Sequence, residues 1–510
     1  MKTDEITSSI RNKMNESEYL STYNELLSSL SVEFCDDFPA IASPTLSKQE
    51  AVTRLYEKCL NPVKNEYLIK NWLLFPVRLI WHFLNILLLS NIYRVKSIPS
   101  NSIYFRGWLV PQSFKTNNIR DEYFRELPND LRERGCVVIQ AFQPLGYHMA
   151  WKLLRYKLND DQIIPIGMLT FSDILKLFYS YLTTGWLQVK NEYVLRGNNI
   201  TSEINRSLAK DFIDFRSFLA YQEKYISKKI KENGVKKFVY VFENQSWEKV
   251  YCNYFSNTNI ITIGYQSSGF TDKFLNFFPS QKDLNDQPQP DFIFTVGDAF
   301  TKYLTEKGCY RSEICSFAAM RFDHPVIDSH YIVKEFSKDI HMCILYAFPV
   351  HKWQYGLIID LLIDVFGESD IKVHFKFHPL CQSLRGEYKN ILPDNFSIID
   401  IIDNSTLSQN YDVVLFNDNS FGIESLMYGV KCFDVDLFDN DLDKRLIYFD
   451  DWDVRISKNG LLQLRDNLLN GYFDKSCNVN VIRKYINYMY SPYIFDRSYM
   501  KKFSIDDINN

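Results

Sequence analysis

The sequence predicts an α/β fold with two Rossmann-like, doubly wound domains that face each other across a cleft, preceded by a helical N-terminal extension. The chain has 510 residues, enough for two or three domains. Hydrophobic residues make up 46% of it, so it can bury full-sized cores. Short, continuous apolar runs, typical of strands buried on both faces, alternate with helical segments in two separate stretches of the chain.

Charge and cysteine content exclude several classes of protein. The 58 Lys and Arg residues nearly balance the 62 Asp and Glu residues, which argues against a dedicated nucleic-acid binder. The ten cysteines are scattered without a C-x-x-C pair, so neither a zinc ribbon nor a disulfide framework is expected. The polar N-terminus lacks the apolar segment of a signal peptide. We therefore expect a cytoplasmic protein.

The first 99 residues are expected to form the helical extension, and they contain one unusually apolar segment at 72–92. Its length nearly suits a membrane span, but Pro76, Arg78, His82 and Asn85 interrupt it. The three polar residues after the proline follow helical spacing and share one face. The segment is compatible with a buried core helix, a helix in a membrane interface that makes the protein peripheral, or a true span.

The first Rossmann-like domain is predicted over residues 100–330. A helix ending in a glycine cap is expected at 121–135, and mostly helical chain at 171–232. Strands are expected at 101–109, 136–142, 162–169, 235–243, 259–266 and 291–297.

The second Rossmann-like domain is predicted over residues 331–490, with a C-terminal tail at 491–510. Its strands are expected at 342–348, 371–379, 396–402, 412–418 and 430–436, and its helices at 353–367 and 420–429. Two such sheets in one chain predict a cleft, with ligands at the carboxyl ends of the strands.

The second domain carries two motifs suited to phosphate. His378 and Pro379 come at the expected end of a strand, where the imidazole can donate to a phosphate, or merely cap the strand. Further on, Asn419 and Ser420 precede the helix that carries Gly422 and Glu424.

Ser420 is the expected N-cap of that helix, whose free N–H groups attract phosphate. Gly422 would allow a ligand to approach, and Glu424 would accept two ribose hydroxyls. The alternative is an ordinary N-cap with a carboxylate that compensates the helix dipole. Two phosphate-suited sites at strand ends of one sheet favour the functional interpretation.

Strand ends of the first domain supply the other candidates. Glu243 follows its most apolar strand, where burial would raise the pKa of the carboxyl and suit it to general-base work. Asp298 is a second candidate carboxylate, or the N-cap of the next helix. Side chains suited to contacts with an acceptor sugar are Gln245, Glu248, Gln266, Ser267 and Ser268.

Several enzyme classes lack their signatures here. The sequence contains no P-loop, no G-x-G-x-x-G, no H-E-x-x-H and no G-x-S-x-G. It therefore gives no support to a P-loop NTPase, a dinucleotide oxidoreductase, a zincin or an α/β-hydrolase.

The ordered set of motifs resembles the GT-B glycosyltransferases that use CMP-activated acidic sugars, the bacterial sialyltransferases and Kdo transferases. This resemblance implies that His378 and Ser420 contact the CMP phosphate and Glu424 the ribose. The family's paired Ser/Thr is replaced here by Asn419 and Ser420. The first domain also resembles a bacterial surface-carbohydrate-biosynthesis family, in the stretches 122–135, 241–249, 262–269 and 291–300.

The resemblance implies transfer of Kdo, sialic acid or a related ulosonic sugar from a CMP-sugar to a glycan or lipid-linked glycan of capsule, lipopolysaccharide or O-antigen. Glu243 would act as base, or as half of a retaining pair with Asp298. His378 and the helix start would stabilise the departing CMP, so no metal or other cofactor is expected. The enzyme could sit peripherally on the cytoplasmic face of the inner membrane. The alternatives are a CDP-glycerol or CDP-polyol phosphotransferase and a non-catalytic scaffold in polysaccharide assembly.

Overall fold

The structure is a computed structural model that describes most of the two domains. The described residues are 38–47, 65–114, 119–195, 198–270, 274–281, 283–321, 342–349, 352, 354–399, 402, 406–417, 419–437, 455–474, 479–493 and 503. Much of the predicted extension, the predicted domain boundary near residue 330 and most of the predicted tail at 491–510 lie outside the described residues.

The described part of the N-terminal region contains helices, as predicted. It contains α1 (Phe38–Ala42) and α2 (Asn65–Ile92). Helix α2 includes the whole apolar segment, with Pro76 in its interior. It packs against the first domain.

The first domain is built on a parallel sheet of seven strands. Its elements are β1 (Ile103–Leu109), α3 (Leu127–Glu133), β2 (Val138–Pro144), α4 (Tyr147–Lys152), β3 (Gln162–Ile163), α5 (Phe171–Thr184), β4 (Val194–Leu195), β5 (Asn198–Asn199), α6 (Thr201–Ile213), α7 (Phe218–Glu232), β6 (Lys237–Val241), α8 (Ser246–Phe255), β7 (Ile261–Tyr265), α9 (Asp283–Asp286), β8 (Phe292–Thr295), α10 (Asp298–Lys307) and β9 (Glu313–Ser316).

The strand order of this sheet is β3-β2-β1-β6-β7-β8-β9. Ile103 of β1 lies opposite Val138 of β2 on one side and Lys237 of β6 on the other. The order reverses between β1 and β6, and such a reversal opens a crevice at the carboxyl ends of the two strands. The end of β6 leads directly to Glu243.

The second domain is built on a parallel sheet of six strands. Its elements are β10 (Cys343–Ala347), α11 (Gln354–Phe366), β11 (Lys372–Lys376), α12 (Arg385–Tyr388), β12 (Phe396–Ile399), α13 (Leu407–Asn410), β13 (Val413–Phe416), α14 (Ser420–Met427), β14 (Lys431–Val435), β15 (Arg455–Ile456), α15 (Lys458–Leu469) and α16 (Val479–Met489).

This sheet has the order β12-β11-β10-β13-β14-β15, so its reversal falls between β10 and β13. Both sheets thus have doubly wound Rossmann order, and the predicted GT-B fold class is confirmed. The two strands at the reversal end just before Phe348 and Asn417.

Alternate residues of the central strands of the second sheet belong to two different cores. One face packs into the core shared with the first domain, through Leu345, Ala347, Val414 and Phe416. The other face packs under α11 and α15, through Ile344, Tyr346, Val413 and Leu415. Burial on both faces explains why these strands are continuously apolar in the sequence.

The chain returns to the first domain after the second sheet. The Ser491 N–H donates to the carbonyl of Val296 at 2.7 Å, and the Ala319 N–H donates to the carbonyl of Ser491 at 2.8 Å. The Tyr493 hydroxyl donates to the carboxylate of Asp130 at 2.5 Å. These contacts join the end of α16 to the first sheet.

The sequence-based elements differ from the structure mainly at sheet edges. The strand predicted at 162–169 is only two residues long, because a 3-10 turn begins at Pro165. The short strands β9 and β15 and the hairpin formed by β4 and β5 were not predicted. Such edge strands carry too few buried apolar residues to give a pattern.

Candidate functional site

The helix start at the reversal of the second sheet is organised by Asn419. Its side-chain carbonyl accepts from the Phe421 N–H at 2.9 Å, and its amide donates to the carbonyl of Phe348 at 2.6 Å. Asn419 is therefore the N-cap of α14, and the prediction that Ser420 caps this helix is wrong. An amide can accept and donate at once, so Asn419 also connects the end of β10 to the start of α14.

Ser420 instead occupies the first helical position and contacts Glu424 one turn later. Its hydroxyl donates to a carboxylate oxygen of Glu424 at 3.0 Å, and both side chains are half-buried. This hydrogen bond fixes the position of the carboxylate. The second carboxylate oxygen and the serine oxygen can still accept hydrogen bonds from other groups.

Lys376, the last residue of β11, is a member of the site that sequence analysis missed. Its ammonium lies 3.2 Å from the ring centroid of Phe421. Burial lowers the pKa of Lys376 to about 8, and the nearby charge of Glu424 offsets only part of that effect. A desolvated cation at the carboxyl end of a strand is a good partner for an anionic ligand.

His378 lies two residues beyond Lys376, after the strand has ended. Its backbone N–H donates to the Tyr355 hydroxyl at 3.2 Å, and its carbonyl accepts from the Cys381 N–H at 2.8 Å. Pro379 is exposed and begins a 3-10 turn. The backbone at His378 is thus held firmly while its ring stays partly exposed, and its contact with phosphate remains a prediction.

Two buried amides lie next to the same reversal. Gln354, the first residue of α11, is fully buried, and neither end of its amide has a hydrogen-bond partner among the described residues. Asn417 follows β13 and donates to the carbonyl of Val435 at 3.0 Å, while its side-chain oxygen is unpaired within the described chain. Unpaired buried amides are costly, and a bound polar ligand is one way to satisfy them.

Gly422 has a structural role, and the predicted approach of a ligand at this residue remains a prediction. A Cβ at this position would overlap the ring of Phe416, the last residue of β13. Glycine is therefore required for α14 to pack closely on its own strand. This contact is within the protein and involves no ligand.

Replacing Gly422 by alanine is expected to lower the free energy of unfolding by about 1–3 kcal/mol, because the added methyl group forces Phe416 to move. Denaturant unfolding measures this. Gly386→Ala is the matched control, since a Cβ at that position meets no atom within 4 Å. Equal stability of both variants would contradict the close packing of α14 on β13.

In the first domain, the turn after β6 positions Glu243, Asn244 and Gln245. Asn244 has a positive φ of 51°, a conformation that asparagine tolerates better than most residues. The Asn244 amide donates to the carbonyl of Asn276 at 2.6 Å, and the Asn276 amide donates to the carbonyl of Glu243. This reciprocal pair, which sequence analysis missed, fixes the direction in which the strand end points.

The side chain of Glu248 forms hydrogen bonds at the start of α8. Its carboxylate accepts from the Glu243 N–H at 3.1 and 3.0 Å, and it is buried. Burial raises the pKa of Glu248 well above its usual range, and the charge of Glu243 adds to the effect. The raised carboxyl pKa expected at this strand end is therefore found at Glu248, which does not face solvent.

Glu243 itself is half-buried near Tyr123 and Arg321. Burial and then the charge of Glu243 raise the pKa of Tyr123 to about 12, with an opposing contribution from Arg321. The Arg321 guanidinium lies 5.8 Å from the Tyr123 ring centroid. A carboxylate, a phenol and a guanidinium thus gather at the carboxyl end of β6.

The other residues predicted to contact the acceptor sugar differ in burial and in the hydrogen bonds that they already form. Gln266 is fully buried; its side-chain oxygen accepts from the Val296 N–H at 3.2 Å, and its amide donates to the carbonyl of Ser268. Ser267 is buried and Ser268 is half-buried. Gln245 is buried with its side-chain oxygen unpaired among the described residues. Of these side chains, Gln245 keeps an unused acceptor, and acceptor binding by the set remains a prediction.

Asp298 is not the N-cap of α10, which was the alternative to its predicted role as a catalytic carboxylate. Gly297 is the N-cap of α10, and Asp298 is its first, exposed residue. Burial, followed by the charge of Asp298, raises the pKa of Tyr488 in α16. Asp298 thus neighbours the terminal helix, and its pairing with Glu243 remains a prediction.

Within the described ranges, no group of three or more His, Cys, Asp or Glu side chains could hold a metal ion. The described cysteines are free thiols. The chemistry that these residues offer is that of a buried ammonium, carboxylates, an imidazole and amides.

No family model and no curated protein matches the chain. It is similar to solved structures, including the UDP-GlcNAc 2-epimerase of Methanocaldococcus jannaschii in complex with UDP-GlcNAc and UDP. That match has 11% identity and a TM-score of 0.42, and covers 76% of this chain and 98% of the other.

Two further matches have the same character. The UDP-N-acetylglucosamine 2-epimerase of Rickettsia bellii matches with 10% identity and a TM-score of 0.42, covering 76% of this chain and 98% of the other. The lipopolysaccharide outer core galactosyltransferase WaaB matches with 12% identity and a TM-score of 0.39, covering 79% and 98%. Likeness at this level assigns this chain neither a reaction nor a substrate.

Proposed function

We propose that the chain is a glycosyltransferase that moves Kdo, sialic acid or a related ulosonic sugar from a CMP-sugar to a surface-polysaccharide acceptor in the cytoplasm. The observation that carries the proposal is the cluster of Lys376, Ser420 and Glu424 at the reversal of the second sheet. It combines a desolvated cation for a phosphate with a fixed carboxylate for a ribose diol. These are the two groups that every nucleotide donor presents.

The proposed donor site extends around this cluster. His378 follows the same strand as Lys376, and its ring could donate to the same phosphate. The unpaired amide of Gln354 can satisfy both a donor and an acceptor on a nucleobase edge. Because this amide is buried, a nucleobase that leaves it without hydrogen bonds would bind weakly. Gln354 is therefore suited to selecting the nucleobase of the donor.

The proposed reaction joins this donor to a hydroxyl held at the first domain. The acceptor oxygen attacks the anomeric carbon, the bond from that carbon to the CMP oxygen breaks, and Glu243 takes the hydroxyl proton. Lys376 and His378 stabilise the negative charge that develops on CMP. Since side chains supply this stabilisation, we propose that transfer requires no metal ion or other cofactor.

Thermal-shift measurements against CMP, CDP, UDP and GDP, each with and without EDTA, test the donor class. CMP at about 100 times its dissociation constant should stabilise the protein by about 2.7 kcal/mol, with no change on adding EDTA. UDP and CDP are the informative pair, because they carry the same phosphates and differ only at the base edge. A larger shift with UDP, or a shift that EDTA removes, would contradict the proposal.

Two variants test whether CMP binds at the proposed site. His378→Ala and Glu424→Ala should each weaken CMP binding about 10-fold or more, since each removes a hydrogen-bonding partner. His148→Ala, which alters an exposed histidine of the first domain, serves as control. CMP release from CDP-glycerol but not from a CMP-sugar would identify a phosphotransferase, and the absence of any nucleotide shift would indicate a scaffold.

A further inference from the structure

Helix α2 has its polar side on the inside. Its inward side chains include Arg78, whose guanidinium lies 3.3 Å from the carboxylate of Asp214. His82 Nδ1 lies 2.7 Å from the Tyr147 hydroxyl oxygen, and the Asn85 side-chain oxygen accepts from the Trp151 indole N–H at 2.8 Å. The polar face predicted from helical spacing is confirmed, and it is the face that is bound to the protein.

The outward side of α2 is apolar along most of its length. Leu73, Val77, Ile80, Trp81, Leu84 and Leu88 expose between 46% and 74% of their surface, and we call them the outer face. Arg78 is the one charged residue between Asn71 and Ile92, and it is paired inward. A soluble helix normally shows the opposite arrangement, with its apolar stripe against the core.

The outer face continues onto α5, which packs beside α2 through Phe83 and Phe178 at a ring separation of 5.2 Å. Four apolar residues of α5 are exposed at helical spacing: Phe171, Leu175, Tyr179 and Leu182. Trp186 adjoins Trp72 at 5.4 Å between ring centroids. On α2 the outer face covers roughly 24 Å of helix, so the combined surface is continuous and unlike the scattered apolar residues of an ordinary surface.

Basic residues border this surface. Arg94 and Lys96 follow α2 and line a cavity of about 700 Å³, together with Phe171 of the apolar surface and Lys229. Lys70 and Lys176 are also exposed on the two helices. Cations next to an apolar face complement the phosphates at the surface of an anionic bilayer, and tryptophan and tyrosine favour the same depth.

We propose that the outer face lies flat in the interface of an anionic lipid bilayer, with a lipid phosphate held by Arg94 and Lys96. The stretch Glu66–Ile92 is long and apolar enough to cross a membrane by length and composition. A span, however, would have to release Arg78, His82 and Asn85 from their partners in the first domain. The one-sided arrangement instead matches a helix that keeps one face on protein and one on lipid.

Co-sedimentation of the full chain with vesicles tests this inference without any nucleotide. Binding to vesicles of phosphatidylcholine with about 30% phosphatidylglycerol should be stronger than to phosphatidylcholine alone, and should weaken with salt. Leu84→Glu with Leu88→Glu should reduce the partition coefficient about 100-fold, roughly 10-fold for each lost side chain. Both positions are exposed, so the fold should be kept.

Leu357→Glu is the matched control, because this leucine is as exposed as Leu88 but lies on α11 of the second domain. Arg94→Gln with Lys96→Gln should remove the preference for the anionic lipid and keep the binding to phosphatidylcholine. Inorganic phosphate that competes only at the anionic vesicles would support the phosphate contact.

Several outcomes would overturn the inference. They are wild-type protein that stays in the supernatant, a leucine double variant that binds as the wild type does, and vesicle-bound protein that resists alkaline extraction as a spanning helix would. A dimer abolished by the same variant, without vesicle binding, would assign the outer face to a second copy instead. Nucleotide binding does not enter these measurements, so they stand or fall separately from the proposed transfer activity.

Discussion

Replacing Lys376 by alanine is expected to weaken CMP binding between about 10-fold and 100-fold, the loss typical of one charge-assisted contact to phosphate. The lysine is already desolvated beside Phe421 and Glu424, so it can meet a phosphate without a further cost of dehydration. Calorimetric titration with CMP measures the effect. Lys372→Ala is the control, because that lysine is on the same strand and exposed.

The same site should give a characteristic pH dependence. Burial lowers the pKa of Lys376 to about 8, so the fraction of charged lysine falls as pH rises through 8. Phosphate monoesters lose their second proton near pH 6, so CMP does not change charge in this range. CMP affinity should therefore decline between about pH 7 and 9.5 in the wild type and remain flat in Lys376→Ala. A flat wild-type profile, or unaltered affinity in the variant, would remove Lys376 from the site.

Lys376 shows why this part of the site could not be predicted from the sequence. Its run KVHFK has the alternation of a strand with one partly exposed face. The environment that makes the lysine unusual comes from Phe421 and Glu424, more than forty residues later in the chain. Only the pairing of β10 with both β11 and β13 brings these residues together.

What could be predicted follows from local patterns. Continuous apolar runs identified the central strands of both sheets. A strand that is covered on both faces needs apolar side chains on both, so its sequence is apolar at consecutive positions. The glycine expected to end the helix at 121–135 does so, with Gly135 at a φ of 87°. Helical spacing likewise placed Arg78 and His82 on one face of α2. The direction of that face depends on Asp214 and Tyr147, which local sequence does not specify.

Glu424 and Asn419 illustrate an intermediate case. The helix start was identified correctly, but the cap was assigned to the residue with the hydroxyl rather than to the one with the amide. Serine and asparagine cap about equally well, and Asn419 is favoured here because its amide also donates to the carbonyl of Phe348. The hydroxyl of Ser420 is thereby free to hold Glu424 in place.

Replacing Glu243 by glutamine is expected to slow sugar transfer by about 100-fold to 10,000-fold and to leave CMP affinity unchanged, because a general base acts on the acceptor hydroxyl and not on the donor. The amide keeps the size of the side chain but cannot take a proton. The turn should persist, since it is held by the backbone of Glu243 through Glu248 and Asn276.

Comparison of kcat with CMP affinity in the same preparation separates a base from a structural residue. Loss of kcat with unaltered CMP affinity and unfolding midpoint identifies Glu243 as the base, whereas a parallel fall in all three would mean that the turn has collapsed. Glu133→Gln, at an exposed carboxylate on α3 of the same domain, should leave every quantity unchanged. Full transfer activity in Glu243→Gln would shift the search for the base to the groups that share its strand end, among them Tyr123, whose pKa is raised by burial and by the charge of Glu243.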